Sequence, residues 1–143
     1  MSAEEIRFSA HDVPFRLPNT TRARRWILDA AKTEGFIPDT IQYIWCTDDY
    51  LLGINKQYLN HDTLTDVITF DYSDEAQLIQ GDIFISIDRI RENARTAGTK
   101  IADELNRVMI HGLLHLCGYR DKLPEEKSEM TEKEDYYLSL RDF

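Results

Sequence analysis

The sequence predicts an α+β fold: one domain over residues 1–143, with a mixed four-stranded sheet, about five helices, and one long central helix that is buried. Three observations carry this. Four short runs rich in β-branched and aromatic residues are interleaved with stretches of helical periodicity, the order that layers helices on a sheet. One apolar stretch, residues 101–116, is long enough for about four turns of helix. No repeat, low-complexity tract or linker separates two units, and a chain of this size buries roughly 68–70% of its unfolded surface in a single core.

Taken in order, Ile6 and Phe8 alternate with polar neighbours, as in a short strand that ends before Pro14. Asn19 or Thr20 can cap a following helix with Trp26, Ile27 and Ala30 on its apolar side, and Gly35 is placed to end it. Ile41, Tyr43 and Trp45 alternate as a second strand, after which Thr47 or Asp48 can cap a helix carrying Leu51, Leu52, Ile54 and Tyr58. Residues 67–70 and 83–87 read as two further strands, joined by a hairpin-like loop over 72–81. Asp88 is expected to cap a helix to about Ala97, where Gly98 breaks it. The long helix then runs to Gly118, and Pro124 opens a last, highly charged helix.

Hydrophobic residues make up 42% and charged residues 30%, the balance of a folded chain rather than a disordered one. No apolar run approaches the roughly 20 residues that span a bilayer, and the first seven residues have neither a basic region nor an apolar one, so a cytoplasmic protein without membrane partners is expected. Cys46 and Cys117 show no C-x-x-C spacing, which disfavours a disulfide scaffold and a four-thiolate zinc site. The net charge of −9 argues against coating nucleic acid through a diffuse basic surface, and no DNA is expected. Residues 36–88 hold ten acidic groups and only Lys56. Positive charge is clustered elsewhere, at Arg22, Arg24 and Arg25, and at Arg89, Arg91, Arg95 and Lys100, the second relieved only by Glu92.

The chemistry concentrates in residues 111–121. His111 and His115 stand four apart on the apolar helix and so project from one face. Gly118 can adopt a left-handed conformation that stops the helix and turns the chain back, which lets Asp121 reach the same point as a third ligand. Three protein ligands with an open position describe a catalytic rather than a structural metal site. A lone histidine on an apolar face is more often a hydrogen-bonded core residue; the pair, the turn and the acid together favour a divalent cation. Cys117 lies about 240° around the helix from His111 and should point away. Metalloproteases place a general-base Glu directly after the first His, a position occupied here by Gly112. Glu104 is a poor substitute, since about 10 Å of helix rise separates it from His111.

These residues resemble the YbeY-type endoribonucleases, also called ribosomal RNA maturation factors, whose signature is H-G-x-L-H-L-x-G-Y-x-H. The match runs from His111 through Tyr119. Asn55-Lys56-Gln57-Tyr58 and Thr65-Asp66-Val67-Ile68-Thr69-Phe70 are similar to the family's L-N-x-x-Y-R and T-D-V-L-S-F segments, and Gly81-Asp82-Ile83 to its G-D-I strand start. The chain departs twice: Asp121 replaces the last His, and Leu59 replaces an Arg implicated at the RNA phosphate. Arg120, or the cluster from Arg89 to Lys100, is a candidate to compensate. The resemblance implies a mixed four-stranded sheet, a metal cleft, and single-strand-specific RNA hydrolysis in ribosomal RNA processing and ribosome quality control. Its implied partners are ribosomal RNA and ribosomal subunits or proteins.

Zinc is the first expectation for the cation, with nickel, iron or manganese as alternatives, and no separate general base can be named. Two other readings fit the residues. One is a ribosome-binding assembly factor with a mainly structural metal, favoured by Leu59 and the acidic charge. The other is a non-haem iron oxygenase, which uses two His and one carboxylate.

Overall fold

The computed structural model describes residues 6–61 and 63–143; residues 1–5, on which part of the reading of the N-terminus rests, lie outside the described residues. The elements run β1 (Ile6–Ala10), α1 (Thr20–Thr33), β2 (Ile37–Cys46), α2 (Asp48–Leu59), β3 (Val67–Asp71), β4 (Leu78–Ser86), α3 (Ile87–Ala97), α4 (Ile101–Leu116) and α5 (Pro124–Ser139). The sheet order is β1-β2-β4-β3, with β1, β2 and β4 parallel and β3 antiparallel to β4. This is the mixed α+β arrangement the sequence predicts.

Strand alternation decides which side of the sheet each helix covers. Ile41, Tyr43 and Trp45 of β2 and Ile79, Ile83 and Ile85 of β4 are buried in one core with the apolar faces of α1, α3, α4 and α5. Residues of opposite parity, Cys46 and Ile68 with Phe70 and Phe84 beside them, meet Leu51 and Ile54 of α2 in a smaller cluster. Among the described residues no helix is long and apolar enough to cross a membrane.

Several boundaries differ from expectation for local reasons. β4 begins at Leu78, so the hairpin connection shrinks to residues 72–77: Leu78 and Ile79 pair with Ile37 and Pro38 through the backbone ladder. Ile87 starts α3 instead of ending a strand, because the Ser86 hydroxyl accepts the Arg89 N–H at 3.2 Å and caps the helix. Asp88, the expected cap, instead accepts the Asp48 N–H at 2.9 Å at the start of α2. Thr47 caps α2 by accepting the Tyr50 N–H at 3.1 Å. Asn19 occupies the cap position of α1 without a side-chain bond, while the Thr20 hydroxyl donates to the Leu17 carbonyl at 2.9 Å.

Two contacts set the height of α4 over the sheet. Gly112 lies so close to β4 that a Cβ there would stand 2.7 Å from Cγ2 of Ile83. The buried Tyr43 hydroxyl donates to the Met109 carbonyl at 2.9 Å, tying β2 to the helix one turn earlier. α4 thus docks against the sheet with His111 and His115 facing the cleft beside β3.

Candidate metal centre

Helical spacing brings His111 and His115 together: their Nε2 atoms are 3.0 Å apart. The helix stops at Gly118, whose φ of 98° is costly for residues with a Cβ. Its N–H bonds the His115 carbonyl and the Tyr119 N–H bonds the Leu114 carbonyl, both at 3.0 Å, a Schellman pair that reverses the chain. Asp121 arrives three residues later with Oδ2 3.2 Å from His111 Nε2 and 3.3 Å from His115 Nε2. One donor atom from each of the three residues lies within 4.8 Å of the others, and the group could hold a metal ion.

The outward-facing nitrogens determine what points inward. His111 Nδ1–H donates to Glu134 Oε2 at 2.6 Å, and His115 Nδ1–H donates to the Tyr119 carbonyl at 3.1 Å. A carboxylate and a carbonyl can only accept, so in the neutral rings each Nε2 is left with its lone pair. Two lone pairs and a carboxylate then converge on one point, an arrangement that repels itself unless positive charge sits among them. His111 reflects this electrostatically. Burial pushes its pKa down, but the hydrogen bond and charge of Glu134, with the charges of Asp121 and Asp66, outweigh burial and raise it. The donor set, two imidazole nitrogens and one carboxylate oxygen, fits zinc and its first-row neighbours.

Behind His111, Glu134 is itself held. Its side chain is 8% exposed, and Oε1 accepts from Arg107 Nη1 at 2.7 Å, while Arg107 Nη2 donates to Asp135 at 2.6 Å. Sequence reasoning missed Glu134 among the many acids of α5. A signal existed: it stands four residues after Met130 and three before Tyr137, both buried, so it is an acid on the buried face of that helix.

The ligands open onto a cleft of about 540 Å³, walled by α4, by β3 and by the α2–β3 connection. Besides Asp121, Asp66 is the one carboxylate among the described residues that lines it. Burial raises the Asp66 pKa; the charge of His111 pulls the other way, while Glu134 and Asp121 add to the rise. Glu104 does not line the cleft.

Three further expectations are settled by position. Cys117 faces a separate surface cleft with Glu34, away from the histidines, and its thiol is pushed up to about 12 by burial and by the Glu34 charge. Arg120 lines that same cleft and not the one with the ligands, which removes it as a stand-in for the Arg absent at Leu59. The cluster from Arg89 to Lys100 is more neutralised than the sequence suggests. Arg89 pairs with Asp48 at 3.2 Å, across from α3, and Arg95 pairs with Glu92.

An α+β fold carrying an open two-histidine, one-carboxylate site defines a class of candidate metal enzymes. Comparison with known proteins is more specific. The family model described as Endoribonuclease YbeY matches residues 5–141. The chain is 47% identical to the Endoribonuclease YbeY of Cytophaga hutchinsonii, with all of both chains covered. It is 49% identical to that of Flavobacterium psychrophilum, over 91% of this chain and 92% of the relative. The solution structure of TM1509 from Thermotoga maritima superposes with a TM-score of 0.64 at 28% identity, over 94% of this chain and 87% of the other. The chain belongs to the YbeY endoribonuclease family.

Proposed function

We propose that this chain is a metal-dependent, single-strand-specific endoribonuclease, one catalytic domain over residues 1–143, which acts in the cytoplasm on ribosomal RNA during processing and ribosome quality control. Ribosomal subunits or proteins are its further partners. The observation that carries the metal dependence is the convergence of His111 Nε2, His115 Nε2 and the Asp121 carboxylate at the wall of an open cleft. His111, His115 and Asp121 hold the cation, zinc first, with nickel, iron or manganese as alternatives. When bound, the cation supplies Lewis-acid polarisation of a phosphate oxygen and a more acidic water. Glu134 and the Tyr119 carbonyl keep both histidines in the tautomer that presents Nε2. Asp66, outside the ligand set, lines the cleft, and we assign it as the group that would take a proton from water there.

Elemental analysis of the purified protein, coupled to cleavage of single-stranded RNA by wild type and His115→Ala, tests metal and activity together. Stoichiometric metal and cleavage in wild type, both lost in His115→Ala, is the expected result. Cleavage that persists without metal overturns the reading. The assembly-factor reading, in which the ion is mainly structural, rests on Leu59 and the acidic net charge. It requires that metal removal abolish cooperative unfolding, whereas a catalytic ion leaves the fold largely intact. Iron-dependent oxygen consumption would instead promote the oxygenase reading.

A further inference from the structure

The loss of Arg at Leu59 raises the question of what neutralises an RNA phosphate beside the candidate metal ligands. The surroundings are unfavourable to an anion, since residues 36–88 hold ten acidic groups and Asp66 and Asp121 both line the cleft. Five basic side chains are already committed to carboxylates elsewhere. Arg89 is paired with Asp48, Arg95 with Glu92, Arg107 with Glu134 and Asp135, Lys133 with Glu34, and Arg141 with Asp103. Arg120 faces the other cleft.

Lys122 is the one Lys or Arg among the described residues that lines the cleft of His111, His115 and Asp121. Its backbone is pinned: Glu126 Oε1, at the start of α5, accepts the Lys122 N–H at 3.2 Å and the Leu123 N–H at 2.9 Å. The same cleft is lined by His61, just past the end of α2. Its position is held by the buried Asn55, whose carbonyl accepts the His61 N–H at 3.1 Å and whose side-chain amide donates to the Thr63 carbonyl at 2.9 Å. Neither the Lys122 ammonium nor the His61 ring enters a hydrogen bond or ion pair with the described protein groups around it, and both line the same cleft as the candidate ligands.

We propose that Lys122 and His61 form the phosphate grip of this cleft, Lys122 as a point charge and His61 as a ring N–H donor, in the role that the Arg missing at Leu59 would fill. The inference rests on the nuclease reading above. An RNA strand crossing the cleft then has one backbone phosphate at the metal centre and its neighbouring phosphate oxygens at Lys122 and His61. Both side chains are exposed, so substitutions there leave stability nearly unchanged.

The test compares wild type with Lys122→Gln, Lys122→Arg, His61→Asn and, as a control on the other cleft, Arg120→Gln. Each metal-loaded protein is assayed with a single-stranded RNA oligonucleotide of mixed sequence, for KM, kcat and the slope of log affinity against log salt. Lys122→Gln is expected to raise KM roughly tenfold and to reduce the salt slope by about 0.7, the value for one fewer neutralised phosphate on a single strand, with metal content unchanged. Lys122→Arg should restore both. His61→Asn should raise KM by a smaller factor, and Arg120→Gln should match wild type. If wild type cleaves while Lys122→Gln and His61→Asn keep its KM and slope, the grip is wrong and the nuclease reading stands. If wild type neither binds nor cleaves the oligonucleotide, both fall.

Discussion

Glu134 accepts the Nδ1–H of His111 at 2.6 Å, so the last helix of the chain braces the first candidate metal ligand from behind. A carboxylate in this position fixes the ring orientation and makes the opposite nitrogen a better donor, and its loss from metal sites generally costs 10–100-fold in affinity. Glu134→Gln, which keeps the shape but not the charge, should weaken metal binding by about that factor in a chelator competition. Asp135→Asn, which touches only the exposed side of Arg107, should stay close to wild type. Equal affinities in all three proteins would make Glu134 a packing residue only.

Gly112→Ala should destabilise the protein by about 1–3 kcal/mol, the usual cost of overpacking a core, because the new methyl would meet Cγ2 of Ile83 at 2.7 Å. Adding Ile83→Ala should recover part of that cost, so a double-mutant cycle in urea should be non-additive. Simple additivity would mean that α4 is not resting on Ile83.

Asp121 sets the charge of the centre. Three neutral histidines leave a divalent site at a formal +2, whereas a carboxylate lowers it to +1, so water held there should ionise at higher pH. Asp121→His should retain the metal and move the rate–pH profile to lower pH, while Asp121→Ala should lose affinity outright. Undiminished metal binding in Asp121→Ala would remove Asp121 from the ligand set.

Acid stability is expected to depend on Glu34. Burial alone would raise its pKa, but hydrogen bonds from Tyr137, Tyr119 and Lys133, with the Lys133 charge, bring it below its ordinary value of 4.5. A carboxyl depressed by folding contributes stability above its unfolded pKa, and that stability is lost as pH falls through 4.5 towards the lower folded value. Melting temperatures followed from about pH 6 to about pH 3 should therefore fall less steeply in Glu34→Gln than in wild type. Parallel curves would show that the cluster around Glu34 does not titrate with folding.

What could be read from the residues was whatever leaves a periodic or conformational trace. The long helix and its stop at Gly118 were legible because an apolar face and a glycine with positive φ each have a sequence signature, and Pro124 marked the start of α5. The two histidines followed from helical spacing, and Asp121 from the chain reversal that Gly118 permits. The start of β4 was not legible, since its polar Gln80 and Asp82 are held by the backbone ladder and carry no strand signal of their own. Glu134 and Lys122 escaped for a different reason. Glu134 bonds His111 from behind and Lys122 lines the cleft, and both placements come from how distant elements pack, which leaves no local pattern.

All three candidate ligands come from the eleven residues between His111 and Asp121. Gathering them requires closing one short loop, a cost on the order of 2 kcal/mol by loop-closure scaling. An unfolded chain can meet that cost transiently, so it too should capture a metal ion, though without the brace from Glu134, which arrives from a separate helix. Affinity of the unfolded chain subtracts from the stabilisation that a ligand confers on the folded one. The cation in this protein should therefore add less to thermal stability than its tightness of binding suggests, and a heat-unfolded sample should come down with metal still attached.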